Sequence, residues 1–243
     1  MGIVQKVEKE FSSYKTRFPS VRQIFERVQA EPQGGNLGGR NWRLKEFSEI
    51  GKRNGGEVGL ERAIIKAHQG AGAWFNQVPT CSGLFEVAAD TRSSVDLARD
   101  TGSSRYEMIE LKLSSDDFKY AALELLTYAG VYCLCRRELK EKLGPQSEPI
   151  MAAKTIELQV LAPADYYAKA DEARALAATI DGELKAYFAE VPLAGLFPMS
   201  FDFFKLHETM ENLAALGEKY AGNKFTEADF ETVRRLVASR SRV

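Results

Sequence analysis

The sequence has few residues that build covalent or soft-metal sites: three cysteines and two histidines among 243 residues. Cys81, Cys133 and Cys135 are odd in number and too few for a disulfide framework, which predicts reduced thiols in a cytoplasmic protein. Cys133 and Cys135 fall on different faces of a predicted helix, and His68 and His207 have no evident partner. The spacing of a Cys–His zinc site is therefore lacking.

Long apolar runs and an overall basic charge are also lacking. No stretch of about 18 apolar residues occurs, so we expect no membrane span, and the start, MGIVQKVEKEF, has no signal-peptide core. The net charge is −1, yet residues 1–56 carry 11 Lys and Arg against 6 Glu. That basic segment either contacts phosphate backbones or solvates helix faces, and charge alone favours the second interpretation.

Periodicity and turn signals predict an α/β chain. The predicted strands are 83–89, 93–99, 106–113, 154–163 and 198–206. The predicted helices are 3–18, one starting after Ser20, 57–69, 117–141, 164–190, 207–220 and 226–240. Short links favour antiparallel hairpins for the first three strands, and the helix after them favours a parallel pair with the fourth. We expect a mixed sheet with helices on both faces.

The chain divides at its glycine-rich region. Residues 1–56 form a helical, Gly-rich, basic N-terminal extension, and residues 57–243 form the core with C-terminal helical additions. The glycines lack the Gly-Lys-Ser/Thr of a phosphate-binding loop. The extension also contains Trp42 among basic residues, for which packing is favoured over base stacking, and one helical apolar stripe that needs a partner surface: Val21, Ile24, Phe25 and Val28.

Charged residues interrupt the predicted core strands. In YEMIELKL (106–113), Glu110 and Lys112 share a face with Met108, and Asp96 lies on the adjacent strand. Two neighbouring carboxylates repel each other unless a cation lies between them, and Mg²⁺ prefers carboxylate oxygens. Lys112 could then orient a water or stabilise charge on a scissile phosphate. The pattern indicates phosphodiester hydrolysis.

These residues resemble the PD-(D/E)XK superfamily of restriction-endonuclease-like phosphodiesterases. The resemblance rests on Asp96, on Glu110-Leu111-Lys112 and on the following helix, DDFKYAALELLTYAGVYCLCRREL, and it covers roughly residues 57–165. It implies a three-layer αβα sandwich with a mixed central sheet. It also implies a nuclease in which Asp96 and Glu110 bind Mg²⁺ or Mn²⁺ and Lys112 assists the water.

The resemblance further implies a glutamate from the first core helix as a third ligand. Glu61 is the first choice and Glu57, one turn earlier, is the rival. The expected partner is nucleic acid, with DNA preferred to RNA, and homo-oligomerisation stays open. One departure is Val95, which stands where the family often has proline before the aspartate.

Two alternatives stay open. Glu110 and Lys112 could form an exposed ion pair worth at most about 1 kcal/mol. The protein could also be a catalytically silent nuclease-fold module that binds nucleic acid or protein, with the apolar stripe packed on a partner chain.

Overall fold

The computed structural model describes residues 2–32, 41–45, 56–69, 73–81, 84–85, 93–113, 117–139, 148–193 and 198–243. Within these ranges the chain forms seven α-helices: α1 (Ile3–Glu10), α2 (Val21–Gln29), α3 (Gly56–Ala67), α4 (Phe118–Leu139), α5 (Ala170–Glu190), α6 (Met210–Ala221) and α7 (Glu227–Ala238). The same ranges contain six strands: β1 (Trp74–Pro79), β2 (Ser94–Gly102), β3 (Arg105–Leu111), β4 (Thr155–Pro163), β5 (Ser200–Leu206) and β6 (Ser241–Arg242). In this described part, no helix is long and apolar enough to cross a membrane.

The strands form one mixed sheet in chain order, from β1 to β6. Strands β1, β2 and β3 pair antiparallel, β3, β4 and β5 pair parallel, and β6 returns antiparallel to β5. The two parallel connections each contain a long helix, α4 or α5, as parallel neighbours require. The predicted α/β class and mixed sheet are confirmed.

Helices cover both faces of this sheet. On β3, Tyr106 and Met108 belong to the core shared with α1, α2, α4 and α5, while Ile109 and Leu111 belong to the core shared with α3, α6 and α7. This period-two alternation is the expected behaviour of a strand buried on both faces. The arrangement is compatible with the three-layer sandwich that the sequence predicted.

The first strand of the sheet differs from the prediction. β1 is Trp74–Pro79, which the sequence analysis did not identify, and it pairs with β2. Of the predicted strand 83–89, only Leu84 and Phe85 lie within the described residues, and both are buried. The physical reason is that β1 carries two polar residues, Asn76 and Gln77, whose burial depends on a partner in α3.

The N-terminal helices pack on the core of their own chain. The stripe on α2 is fully buried against α4 and α5 and consists of Val21, Ile24, Phe25 and Val28. Its partner surface is therefore internal, which corrects the idea that it packs on another chain. Trp42 is also completely buried, with its ring 5.1 Å from that of Tyr132, so it offers no face to a base.

Helix α3 is fixed by a close crossing with α6. A Cβ atom on Gly59 would lie 2.0 Å from the carbonyl oxygen of Gly217, and one on Gly217 would lie 1.8 Å from the oxygen of Gly56. Real Cβ atoms do not approach a backbone oxygen so closely, so this crossing requires glycine. It matters for the site because α3 carries both Glu57 and Glu61.

We expect Gly59→Ala to lower the free energy of unfolding by about 2 kcal/mol, because overpacking separates the two helices. The loss occurs although alanine has the better helix propensity by about 1 kcal/mol. Gly182 of α5 is the matched control, since a Cβ there would meet nothing within 4 Å. Gly182→Ala should raise stability by about 0.5–1 kcal/mol. Urea denaturation measures both, and equal effects of the two substitutions would contradict the close crossing.

Candidate active site

The backbone pairing of β2 with β3 ends next to Asp96, a residue of the candidate site. The last paired residues are Leu97 and Ile109. Beyond them the Leu111 N–H donates to Asp96 Oδ2 at 3.0 Å, so a carboxylate takes the amide that a strand would otherwise use. Because Asp96 is one residue beyond Leu97, and Glu110 one beyond Ile109, both acids lie on the same face of the sheet.

Lys112 lies between two carboxylates at the end of β3. Its Nζ donates to Glu110 Oε1 at 2.8 Å and to Glu124 Oε2 at 3.0 Å. Glu110 and Lys112 are 2% and 7% exposed. Burial excludes the prediction of an exposed ion pair. The second oxygen, Glu110 Oε2, is buried and accepts no hydrogen bond from the described residues, which is costly for a carboxylate.

Both candidate acids of α3 reach the neighbouring strands. Glu61 Oε1 accepts from Asn76 Nδ2 and Glu61 Oε2 from Gln77 Nε2, each at 2.7 Å. Glu57 Oε2 accepts the Leu113 N–H at 2.8 Å. Gln77 has a left-handed backbone, with φ of 49°, in the strand next to Asp96. These contacts place both glutamates beside the site and do not choose between them.

The site holds more negative charge than one lysine can balance. We call its carboxyl groups the acidic cluster: Glu57, Glu61, Asp96, Glu110 and Glu124. Lys112 contacts it through Glu110 and Glu124, and the charge of Arg62 acts on Glu61. Although burial acts to lower the pKa of Lys112, the surrounding carboxylates raise it, so the ammonium stays charged.

The acids themselves have raised pKa values. Burial raises the pKa of Asp96 to about 7, with Glu57 and Glu124 adding to the effect and Lys112 opposing it. Asp96 keeps some accessible surface, but protein atoms surround its carboxylate. Burial and the charge of Asp96 raise the pKa of Glu61 to about 8. Burial, Asp96 and Glu124 hold the pKa of Glu110 well above its ordinary value. Such a cluster favours either protons or a bound cation.

The same atoms fit a divalent cation only in part. In the described ranges, no group of three His, Cys, Asp or Glu side chains is arranged to hold a metal ion. The predicted ligands have other contacts, because Asp96 Oδ2 binds the Leu111 amide and both oxygens of Glu61 bind side-chain amides. The surplus charge and the unbonded Glu110 Oε2 nevertheless suit a cation held by Asp96 and Glu110.

One residue of the site, Glu124, was not predicted from the sequence. Glu124 of α4 holds Lys112, and the Tyr128 hydroxyl donates to Glu124 Oε1 at 3.4 Å. One signal was present: Glu124 is the only acidic residue among residues 118–137. An isolated acid on a helix that is otherwise apolar around it indicates a buried polar contact.

The raised pKa values predict how stability depends on pH. Asp96 and Glu61 have folded pKa values of about 7 and 8, above their ordinary values of 3.8 and 4.5. Between these limits the folded state binds more protons than the unfolded state, so stability falls as pH rises from about 5 to 7. Each extra proton bound by the folded state lowers the free energy of unfolding by up to about 1.4 kcal/mol for each unit that the pH rises.

Urea denaturation in EDTA at pH 5 and pH 7.5 measures this slope. Asp96→Asn should flatten it, and the comparison with wild type cancels other titrating groups such as His68, whose pKa burial lowers. An identical slope in both proteins would contradict the assignment. Added Mg²⁺ should restore stability at pH 7.5 in the wild type alone.

The structure thus brings Asp96, Glu110 and Lys112 together and adds Glu124, whereas the other polar residues considered lie elsewhere. His68 stacks on Trp74 at 5.1 Å, and His207 contacts Ser241.

Comparison of the chain with protein-family models, with curated proteins and with solved structures gives no match.

Proposed function

We propose that this protein is a metal-dependent nuclease that hydrolyses phosphodiester bonds in nucleic acid, with DNA preferred to RNA. One observation carries the proposal: a charged lysine lies 2.8 Å from the buried Glu110, beside Asp96, where the β2–β3 ladder opens. A lysine ammonium next to two carboxylates, on one face of a rigid sheet, can stabilise charge on a scissile phosphate and orient an attacking water.

Each side chain has a separate role in the proposed reaction. Asp96 and Glu110 would hold Mg²⁺ or Mn²⁺, which supplies charge neutralisation and an acidified water when bound. The Lys112 ammonium donates a hydrogen bond to the attacking water or to a phosphoryl oxygen. Glu124 and Tyr128 keep Lys112 in place, since Glu124 bonds both of them. Glu61 or Glu57 adds negative charge from α3.

The proposal includes membership of the PD-(D/E)XK superfamily. It is supported by the order of elements around the site: an acid-bearing helix, an antiparallel β2–β3 pair, helix α4 and the parallel strand β4. It is also supported by Glu110-Leu111-Lys112 at the end of the third strand. These features are the ones from which the sequence resemblance was drawn.

A second candidate is a silent nuclease-fold module that binds nucleic acid or protein without cleaving it. The observation that favours it is that Lys112 already bonds two carboxylates and that no three-ligand metal set is assembled among the described residues. The apolar stripe on α2 no longer supports this candidate, because its own chain buries it. A partner would have to use another surface.

Cleavage assays decide between the two candidates. The full chain is incubated with single- and double-stranded DNA and with RNA, in Mg²⁺, Mn²⁺ or EDTA. We expect divalent-dependent cleavage that Asp96→Asn lowers by about 10²–10⁴-fold. Asp171→Asn, at an exposed aspartate of α5 outside the acidic cluster, is the control. Activity that is unchanged in both Asp96→Asn and Lys112→Ala would rule the nuclease out.

Calorimetric titration with Mg²⁺ gives an answer that does not require the correct substrate. A nuclease of this design should take up Mg²⁺, and Asp96→Asn should lose that uptake. A silent module should show no uptake that depends on Asp96 or Glu110. The two results therefore separate the candidates even if every nucleic acid tested resists cleavage.

A further inference from the structure

A polar cleft lies on the opposite face of the sheet from Asp96 and Glu110, on the side covered by α3 and α7. Its volume is about 410 Å³, and its walls include His68, Trp74, Arg99 and Arg240. This volume is typical of small-ligand pockets. Arg99 is three residues from Asp96 along β2, so its side chain lies on the other face and about 10 Å further along the strand. The cleft is therefore separate from the acidic cluster.

Two guanidinium groups of the cleft meet around one buried carboxylate. Glu107 of β3 faces two guanidinium groups: Arg240 Nη2 lies 3.0 Å from both carboxylate oxygens, and Arg99 Nη1 lies 3.4 Å from Oε2. One carboxylate therefore serves two cations. Asp100 also lines the cleft, but it is paired with Tyr106 on the opposite face of the strand and accepts the Gly102 N–H.

Several donors of these arginines have no acceptor among the residues that the structure describes. Within the described residues, Arg99 makes a hydrogen bond through Nη1 alone, although a guanidinium has five N–H groups. The Nε–H of Arg240 is buried and has no acceptor in the same part of the chain. Guanidinium groups with unused donors are well suited to phosphate oxygens, which they bind in a bidentate manner.

Aromatic rings hold both guanidinium groups in place before any ligand arrives. Arg99 lies 5.3 Å from the ring centroid of Trp74, and Arg240 lies 5.7 Å from that of Phe204. Cation–π contacts of this kind fix the guanidinium positions. The charges of both arginines also contribute, after burial, to lowering the pKa of His68. The two guanidinium groups of the cleft are thus held in fixed positions before a ligand binds.

We infer that this cleft binds a phosphate group, with Arg99 and Arg240 as its cationic contacts and with Glu107 as an internal competitor. The phosphate comes either from a phosphorylated small molecule or from a nucleic-acid strand. This site is independent of the proposed cleavage chemistry, since it uses none of the residues of the acidic cluster.

Calorimetric titration of the full chain with inorganic pyrophosphate tests the inference. EDTA is present throughout, so that no divalent cation can recruit pyrophosphate to the acidic cluster. We expect Arg99→Gln to weaken binding by about tenfold or more, the loss of one charge-assisted contact. Glu107→Gln should instead tighten binding, because the competing carboxylate is gone. Arg174→Gln, at an exposed arginine in a different cleft, should leave the affinity unchanged.

The fluorescence of Trp74 provides a local second measurement, because Arg99 covers its ring. The pyrophosphate-dependent signal should disappear in Trp74→Phe. Competition with 5′-phosphorylated and unphosphorylated single-stranded oligonucleotides identifies the source: both compete if the strand backbone binds, only the first if a terminal phosphate binds, and neither if the ligand is a small molecule. The absence of pyrophosphate binding at millimolar concentration, or equal affinity of wild type, Arg99→Gln and Glu107→Gln, would overturn the inference.

Discussion

Lys112→Met is expected to abolish nucleic-acid cleavage while Mg²⁺ binding persists. The substitution preserves the length of the apolar stem and removes the ammonium that contacts Glu110 at 2.8 Å. Without that donor, the water and the phosphoryl oxygens lose their charged hydrogen bond, which should lower the cleavage rate by about 10²–10⁴-fold. Mg²⁺ should bind at least as tightly as before, because a neighbouring positive charge has gone.

The measurement pairs a cleavage assay with Mg²⁺ calorimetry on the same preparation. Lys66→Met replaces an exposed lysine of α3 and is the control, for which both values should stay at the wild-type level. Lys112→Gln serves as a second variant if the methionine protein folds poorly. Joint loss of cleavage and Mg²⁺ binding would make Lys112 a structural partner of the acids, and retained cleavage would remove it from the mechanism.

Most helices could be predicted because their signals are local, although α1 ends at Glu10 and not at residue 18 as predicted. Ser20 accepts the Gln23 N–H at 3.2 Å and begins α2, and Thr226 with Asp229 begins α7, as their side chains indicated. β1 could not be predicted, because its pattern makes sense only with its partner. Asn76 is 1% exposed and is bonded to Glu61, which is 15 residues away in the sequence. A polar residue in a strand therefore signals a tertiary contact that no local window contains.

The site was predictable to the extent that it depends on strand periodicity. The period of two put Glu110 and Lys112 with Met108 on one face, and the pairing of Leu97 with Ile109 brings Asp96 beside them. Glu124 could not be placed in the same way, because its contact with Lys112 depends on how α4 crosses the sheet. The hydrogen bond from the Leu111 N–H to Asp96 Oδ2 could not be predicted either. It forms because the pairing of β2 with β3 ends there, which residue type does not indicate.

Two buried glutamates of β3 allow a matched test of whether the acidic cluster exists for function or for stability. Glu107 bonds Arg99 and Arg240, so it is a balanced structural acid. Glu110 shares Lys112 with Glu124 and has one oxygen without a donor among the described residues. The two residues are three apart on the same strand, on opposite faces of the sheet.

Glu110→Gln is expected to raise the free energy of unfolding by about 1–2 kcal/mol at pH 7.5 in EDTA, because it removes a carboxyl group whose ionised form is disfavoured by burial and by the charges of Asp96 and Glu124. Glu107→Gln is expected to lower it by about 3 kcal/mol, because two arginines lose their carboxylate. The same substitution should thus have opposite signs on the two faces of one strand.

Urea denaturation of the wild type and both variants, repeated with saturating Mg²⁺, measures the effect. Mg²⁺ should stabilise the wild type and Glu107→Gln but not Glu110→Gln, because Glu110 is a proposed ligand and Glu107 is not. If both variants are destabilised in EDTA, Glu110 is the structural partner of Lys112 and the surplus charge is not a cost. If Glu110→Gln is more stable than the wild type and no longer binds Mg²⁺, Glu110 lowers the stability of the protein and serves Mg²⁺ binding. A residue that only formed a structural ion pair would not lower stability.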